Sequence, residues 1–349
     1  MNRDERIKMF TDVFAPQADE TVLFLVDQPH DAINDTAVWK ARREMAHDWY
    51  TTFQEMGEKA GFTVALMDYP ATGAHNAPLP QNVIDAVKTA HLFLAMTEYS
   101  GTASLIPVSK TKGSITRGAS MPGVEKRMEE TAFLADYAAV QRYATALEHL
   151  LNDAVGAEVL FSTGDQLYLD LRNRVAESDR GDCTKAGQTI NFPSGEAWKV
   201  PYEGAADERG EFGASKTAGV LPVDLDGELV KCVVKENKIV EVQGEGAKAE
   251  ELRGFFAKDE THRNLAELGI GCNPHAVVTG NILEDEKVGL HIAYGMSAHL
   301  GGRVKSDMHQ DICYPKGCPV EGTTVTLHNK DGSQTTVIQG AQLRYELLK

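Results

Sequence analysis

Three apolar runs of strand length, each buried in character from end to end, stand in the first hundred residues: Thr21-Val22-Leu23-Phe24-Leu25-Val26, Phe62-Thr63-Val64-Ala65-Leu66-Met67 and His91-Leu92-Phe93-Leu94-Ala95-Met96. Amphipathic stretches at residues 36–60 and 81–90 separate them and read as helices. Strands spaced by helices predict parallel βαβ units with right-handed crossovers. Residues 100–123 are small and lack a long apolar period, so they read as an extended loop. Residues 125–152, rich in Ala, Leu and Tyr, read as one long helix.

From about Ala157 the pattern turns to short β-like segments: 159–161, 167–169, 220–225, 229–234 and 238–242. Pro222 makes its segment an edge strand at best. Asp226-Gly227 and Glu236-Asn237 have hairpin-turn chemistry. One helix, 247–257, interrupts before strand-rich sequence runs to the end. The expected fold is α/β at the N-terminus, residues 1–155, followed by a mainly β (α+β) domain, residues 156–349.

Composition narrows the partners. The chain has 349 residues with 35 Lys+Arg against 51 Asp+Glu, a net charge of −16, which repels phosphate backbones and argues against nucleic acid. No apolar window is long enough to cross a membrane, and the acidic start is unlike a secretory signal. Five scattered cysteines form no disulfide framework, so a cytoplasmic location is expected. Cys313 and Cys318 lack the second close pair that a structural zinc needs.

The sharpest chemical feature is His309-x-Asp311, because side chains at i and i+2 of a strand leave one face and can converge on one ion. Five of the 11 histidines, His262, His275, His291, His299 and His309, fall between residues 262 and 309. In that span Glu267 precedes a glycine-punctuated run, Gly269-Ile270-Gly271-Cys272-Asn273-Pro274. The cluster Glu284-Asp285-Glu286 reads as a solvated face, and His262, His275 and His328 as ordinary structural histidines. Upstream, Pro193-Ser194-Gly195-Glu196 sets a carboxylate on a rigid turn. There is no G-x-S-x-G elbow or Walker loop, and no dinucleotide glycine pattern accompanies Asp27 at its strand end. His30 and Asp31 read as loop.

Taken in order, these pieces resemble the metal-dependent aminopeptidase family of the aminopeptidase T and aminopeptidase S type, over residues 191–311. The resemblance rests on Pro193 to Glu196, on Glu267 before the glycines, on Asp285-Glu286 ahead of His291-Ile292-Ala293-Tyr294-Gly295, and on His309-x-Asp311. It implies that Glu196, Glu267, His291, His309 and Asp311 hold two divalent ions, zinc, cobalt or manganese. It further implies Glu196 or Glu267 as proton carrier, a small peptide as substrate and a homodimer. The family's tyrosine falls here on Ala298, which leaves Tyr294 or His299 to replace it.

The same fold family includes the non-heme iron 2,5-dihydroxypyridine dioxygenase, similar in length and sharing His309-x-Asp311. That enzyme has a histidine at the place of Glu267 and none at the place of His291. Three carboxylates and two histidines suit a two-ion hydrolase better than an iron(II) facial triad of two histidines and one carboxylate. The aminopeptidase is therefore the expectation, the dioxygenase the alternative, and an inactive metal-binding relative the third reading.

Overall fold

The computed structural model describes residues 1–349, which form two compact units. The first comprises residues 1–141, 179–194 and 274–277; the second comprises 142–178, 195–273 and 278–349. The expected division at residues 155 and 156 falls inside a strand, 154–161.

The first unit opens with a helix missed in the pattern, α1 (Arg3–Phe14). Its start is written in Asn2 and Glu5, each accepting a backbone N–H of the other, a capping box. Strands β1 (Thr21–Gln28), β2 (Thr63–Pro70) and β3 (Leu92–Ala95) alternate with α2 (Ala37–Ala60) and α3 (Gln81–Thr89), as expected. Thr36 caps α2 by accepting from Trp39 N, and Gly61 ends it at φ 88°.

The supposed loop 100–123 instead contains α4 (Thr102–Lys110) and β4 (Arg117–Ser120). β4 is fully buried without large apolar residues because its neighbours leave no room for them. A methyl at Gly118 would overlap the Phe93 ring. The single long helix is also corrected. Two 3-10 turns, Lys126–Glu130 and Ala132–Leu134, precede α5 (Tyr137–Asp153). Glu129 breaks the pattern by turning inward, where it accepts from Arg6 at 3.0 Å and Trp49 Nε1 at 2.7 Å.

After α5 the chain forms β5 (Ala154–Phe161), β6 (Gln166–Asp170) and β7 (Glu177–Asp179). It then adds β8 (Thr189–Asn191) to the first unit, completing an all-parallel sheet in the order β2-β1-β3-β4-β8. The remaining strands belong to the second unit: β9 (Glu196–Lys199), β10 (Ala218–Leu225), β11 (Glu228–Lys235), β12 (Lys238–Gln243), β13 (Leu265–Gly271), β14 (Leu290–Gly295), β15 (His309–Cys313), β16 (Gly322–Asn329), β17 (Gln334–Gln339) and β18 (Gln342–Leu343). Helices α6 (Ala206–Phe212), α7 (Ala247–Lys258) and α8 (Ile282–Asp285) punctuate them.

One sheet of this unit runs β12-β11-β10-β6-β5-β16-β17-β18 and the other β15-β14-β13-β9-β7. Both predicted hairpin turns form with positive φ at both central residues, Asp226-Gly227 (54° and 87°) and Glu236-Asn237 (47° and 67°). Pro222 is tolerated because β10 pairs with β6 only at Ala218 and Gly219, leaving its far side open beyond them. No helix of the chain is long and apolar enough to cross a membrane.

Candidate metal centre

The strand period of two sorts the sequence of β9, β13, β14 and β15 onto two faces. Leu268, Ile270, Leu290, Ile292 and Ala197 point one way, into the main apolar core of the unit. The other face carries every candidate ligand. Antiparallel pairing sets Glu196 opposite Gly271, Gly269 opposite His291, Glu267 opposite Ala293, and Ala293 opposite Asp311, with Gly295 opposite His309. Small residues therefore alternate with ligands across the sheet. A methyl at Gly269 would overlap Nε2 of His291, so this glycine makes the floor on which the imidazole lies.

Glu267 stands at the centre, with its two oxygens facing two different histidines. Its Oε1 lies 3.3 Å from His291 Nε2 and its Oε2 lies 3.2 Å from His309 Nε2. Around this carboxylate two donor sets form. One is Glu267, His309 and Asp311, in which His309 Nε2 is 3.4 Å from Asp311 Oδ1 and all donor atoms lie within 4.8 Å of one another. The other is Glu267, His291 and Glu196, with His291 Nε2 3.4 Å from Glu196 Oε2. Two donors each about 2.0–2.2 Å from one ion, at angles near tetrahedral, stand roughly 3.3–3.5 Å apart, so the spacings fit shared ions.

The chemistry of the donors agrees. His309 Nδ1 lies 2.7 Å from the Met296 carbonyl, which can only accept, so Nδ1–H donates there and Nε2 is the nitrogen left for an ion. His291 is buried with Nδ1 unpartnered, so Nε2 is the nitrogen that the site uses. The residues fit a divalent metal.

Lys287, which nothing in the sequence singled out, is fully buried. It donates to Glu196 Oε1 at 2.6 Å and to Glu286 Oε1 at 2.6 Å. A solvated reading of Glu284-Asp285-Glu286 is thus overturned: Glu284 and Asp285 are buried, and Glu286 is tied into the centre. Asp285 ties its own loop, accepting from Thr279 N and Gly280 N, each at 2.8 Å. The only signal for Lys287 was a basic residue directly after an acidic run.

Four carboxylates crowd one ammonium here, and the titratable groups respond. Burial lowers the affinity of His291 for a proton, yet the Glu267 hydrogen bond and the nearby Glu196 and Asp311 charges push it up to about 9. His309 is raised well above its ordinary range against the same burial, chiefly by Asp311 and Glu267. Glu267 is held well below the carboxylate range, the two histidines outweighing its burial. Burial, only partly offset by Lys287, and the Glu196 and Asp311 charges push Glu286 up to about 8.

Of the two stand-ins for the tyrosine absent at Ala298, Tyr294 is on the wrong face. It is buried against Phe256, with ring centroids 5.3 Å apart. His299 lies edge-on to His309, with centroids 4.8 Å apart. Its loop is pinned by Glu203, which accepts from Ser297 Oγ and from the backbone N–H groups of Arg303 and Val304. His262 has the structural role expected, stacked on Phe255. Cys313 and Cys318 are free thiols.

The model of the family NicX, 2,5-dihydroxypyridine 5,6-dioxygenase, matches residues 7–333. The chain belongs to this family. Its fold is similar to that of 2,5-dihydroxypyridine dioxygenase from Pseudomonas putida KT2440, with a TM-score of 0.69, 18% identity and 100% of each chain covered. It is similar also to wild-type AmpT from Thermus thermophilus, with a TM-score of 0.63 and 16% identity over 98% of this chain and 99% of the other. No curated protein matches the sequence. The expected relationship to both branches of the fold is therefore shown, and the family and the donor cluster together make this a metal-dependent enzyme.

Proposed function

We propose that the chain is a metal-dependent aminopeptidase that removes the N-terminal residue of small peptides. The observation that carries the reading is the split of Glu267, one oxygen toward each histidine, which divides five donors into two sets. Glu196, Glu267, His291, His309 and Asp311 would hold two divalent ions. Such ions supply a Lewis acid for the scissile carbonyl and a water acidified toward neutral pH.

The chain's own groups do the rest. The peptide would be oriented by its free α-amine, a donor that an acylated terminus cannot offer. Glu196 is a ligand in this reading and not the proton carrier, because Lys287 already donates to its Oε1. Glu286, the other carboxyl that Lys287 binds, is outside the five proposed ligands and is the carboxyl left to carry a proton to the departing amine.

The second reading, opening of a dihydroxylated ring by one iron(II), is favoured by the family match and by the compact set Glu267, His309 and Asp311. Its donors are one histidine and two carboxylates, the reverse of the usual facial triad.

One comparison separates the readings. Protein loaded with manganese, zinc or cobalt is given leucine amide and its N-acetyl derivative. Cleavage of the free amine form alone supports the aminopeptidase. Equal turnover of both removes the exopeptidase assignment. Oxygen uptake with 2,5-dihydroxypyridine and one iron per chain replaces it with the dioxygenase.

A further inference from the structure

β15, the strand that carries His309 and Asp311, is the last in its sheet and is paired on one side only. Tyr314 N donates to Leu290 O, and Met308 O accepts from Met296 N, both at 2.8 Å. Residues 308, 310, 312 and 314 thus turn their backbone polar groups toward β14. By alternation, the N–H and C=O groups of His309, Asp311 and Cys313 point out of the sheet. There the Asp311 carbonyl accepts from its own neighbour, the Gln310 side chain, at 3.0 Å. The edge sequence His309-Gln310-Asp311-Ile312-Cys313 has no lysine and no proline, two of the residues that guard such edges.

We propose that this edge binds the main chain of the substrate, an extended peptide that adds to β15 as one more strand with its free amine at the acidic centre. The inference rests on the aminopeptidase reading and deepens it. The three residues whose backbone faces outward are the same ones whose side chains lie on the ligand face, because both alternations have period two. A strand added at the usual spacing of about 4.8 Å runs directly past the His309 and Asp311 side chains. Position selects the occupant. The strand whose edge is open is the one that carries His309 and Asp311, so a chain paired with it lies beside the proposed ions, where a scissile bond belongs. Main-chain pairing of this kind recognises peptides whatever their side chains.

The test compares leucine amide with Leu-Gly-Gly, Leu-Ala-Ala and their singly backbone-N-methylated forms on the metal-loaded wild type. The tripeptides should exceed leucine amide in kcat/KM by about tenfold or more, alike for Gly and Ala. One N-methyl group at the third residue, which leaves the scissile amide untouched, should remove about five- to tenfold of this, the worth of one hydrogen bond. Cys313→Pro deletes one outward N–H without touching the β14 ladder, and Cys313→Ala changes the same side chain but keeps the donor. Each variant's own leucine amide rate serves as reference. The tripeptide advantage should shrink about fivefold or more in the proline variant and persist in the alanine one.

If leucine amide and the peptides are hydrolysed with no length or N-methyl dependence, the edge proposal is overturned and the aminopeptidase reading stands. If no free-amine substrate is hydrolysed, the aminopeptidase reading itself fails. A dimer in solution that Cys313→Pro dissociates assigns the edge to a second copy and likewise overturns the proposal.

Discussion

Glu267 is the residue on which the site turns, since it alone faces both histidines. Glu267→Gln keeps the volume and removes the charge that offsets the ions. Bound metal should fall to one equivalent per chain or less in elemental analysis, with the circular dichroism spectrum unchanged. Gly269 acts at one remove. In Gly269→Ala the new methyl displaces the His291 ring, which has nowhere to retreat in a buried site. Overpacking of this kind costs about 1–3 kcal/mol. The midpoint of urea unfolding should drop accordingly, and the His291 set should lose its ion while the His309 set keeps its own. Retention of both ions in that variant removes His291 from the centre.

Among the elements, β9 shows how one strand serves two purposes. Glu196 leaves one face toward the centre, and Lys199 leaves the other, fully buried, to donate to Leu151 O at 2.8 Å and Ala154 O at 2.9 Å. It thereby donates to one carbonyl in the last turn of α5 and to that of Ala154, where the chain leaves the helix for β5. Lys199→Met keeps much of the volume and deletes both bonds, so stability should fall by about 1–3 kcal/mol. The pH dependence has a defined sign. Burial pulls Lys199 down to about 8 from 10.5, so between those values the unfolded chain binds more protons than the folded one. This group's contribution to stability therefore rises as pH rises through that window. The gap between wild type and Lys199→Met, read by urea unfolding at pH 7 and pH 9.5, should widen at the higher pH.

For the molecule as a whole, metal and protons compete for one acidic centre. His291, pushed up to about 9, and His309, also raised well above its ordinary range, must each lose a proton before their nitrogens serve as ligands. Apparent metal affinity should rise with pH from about 6.5 to 9, and binding should release protons. Calorimetry in two buffers of different ionisation enthalpy measures that release directly. Chelation should lower the melting temperature, since ions that bind only the folded chain stabilise it by mass action.

The sequence by itself determined the elements with strong local signals. The runs at β1, β2 and β3 are long and apolar enough to be strands wherever they sit, and two hairpin turns follow from Asp226-Gly227 and Glu236-Asn237. His309 and Asp311 share a face because the period of a strand allows nothing else. Tertiary structure decided whatever depends on neighbours distant along the chain. β4 is a strand because Gly118 lets Phe93 lie against it, although its own residues carry no apolar pattern. Lys287 and Glu286 look like solvent-facing charges in sequence. They are drawn inward because Glu196, ninety-one residues away, needs a cation that a buried carboxylate cannot do without. Tyr294 and His299 are equal candidates on the page of the sequence; the alternation within β14, fixed by its pairing with β13, sends Tyr294 into the core, and the loop beyond the strand, held by Glu203, sets His299 beside His309.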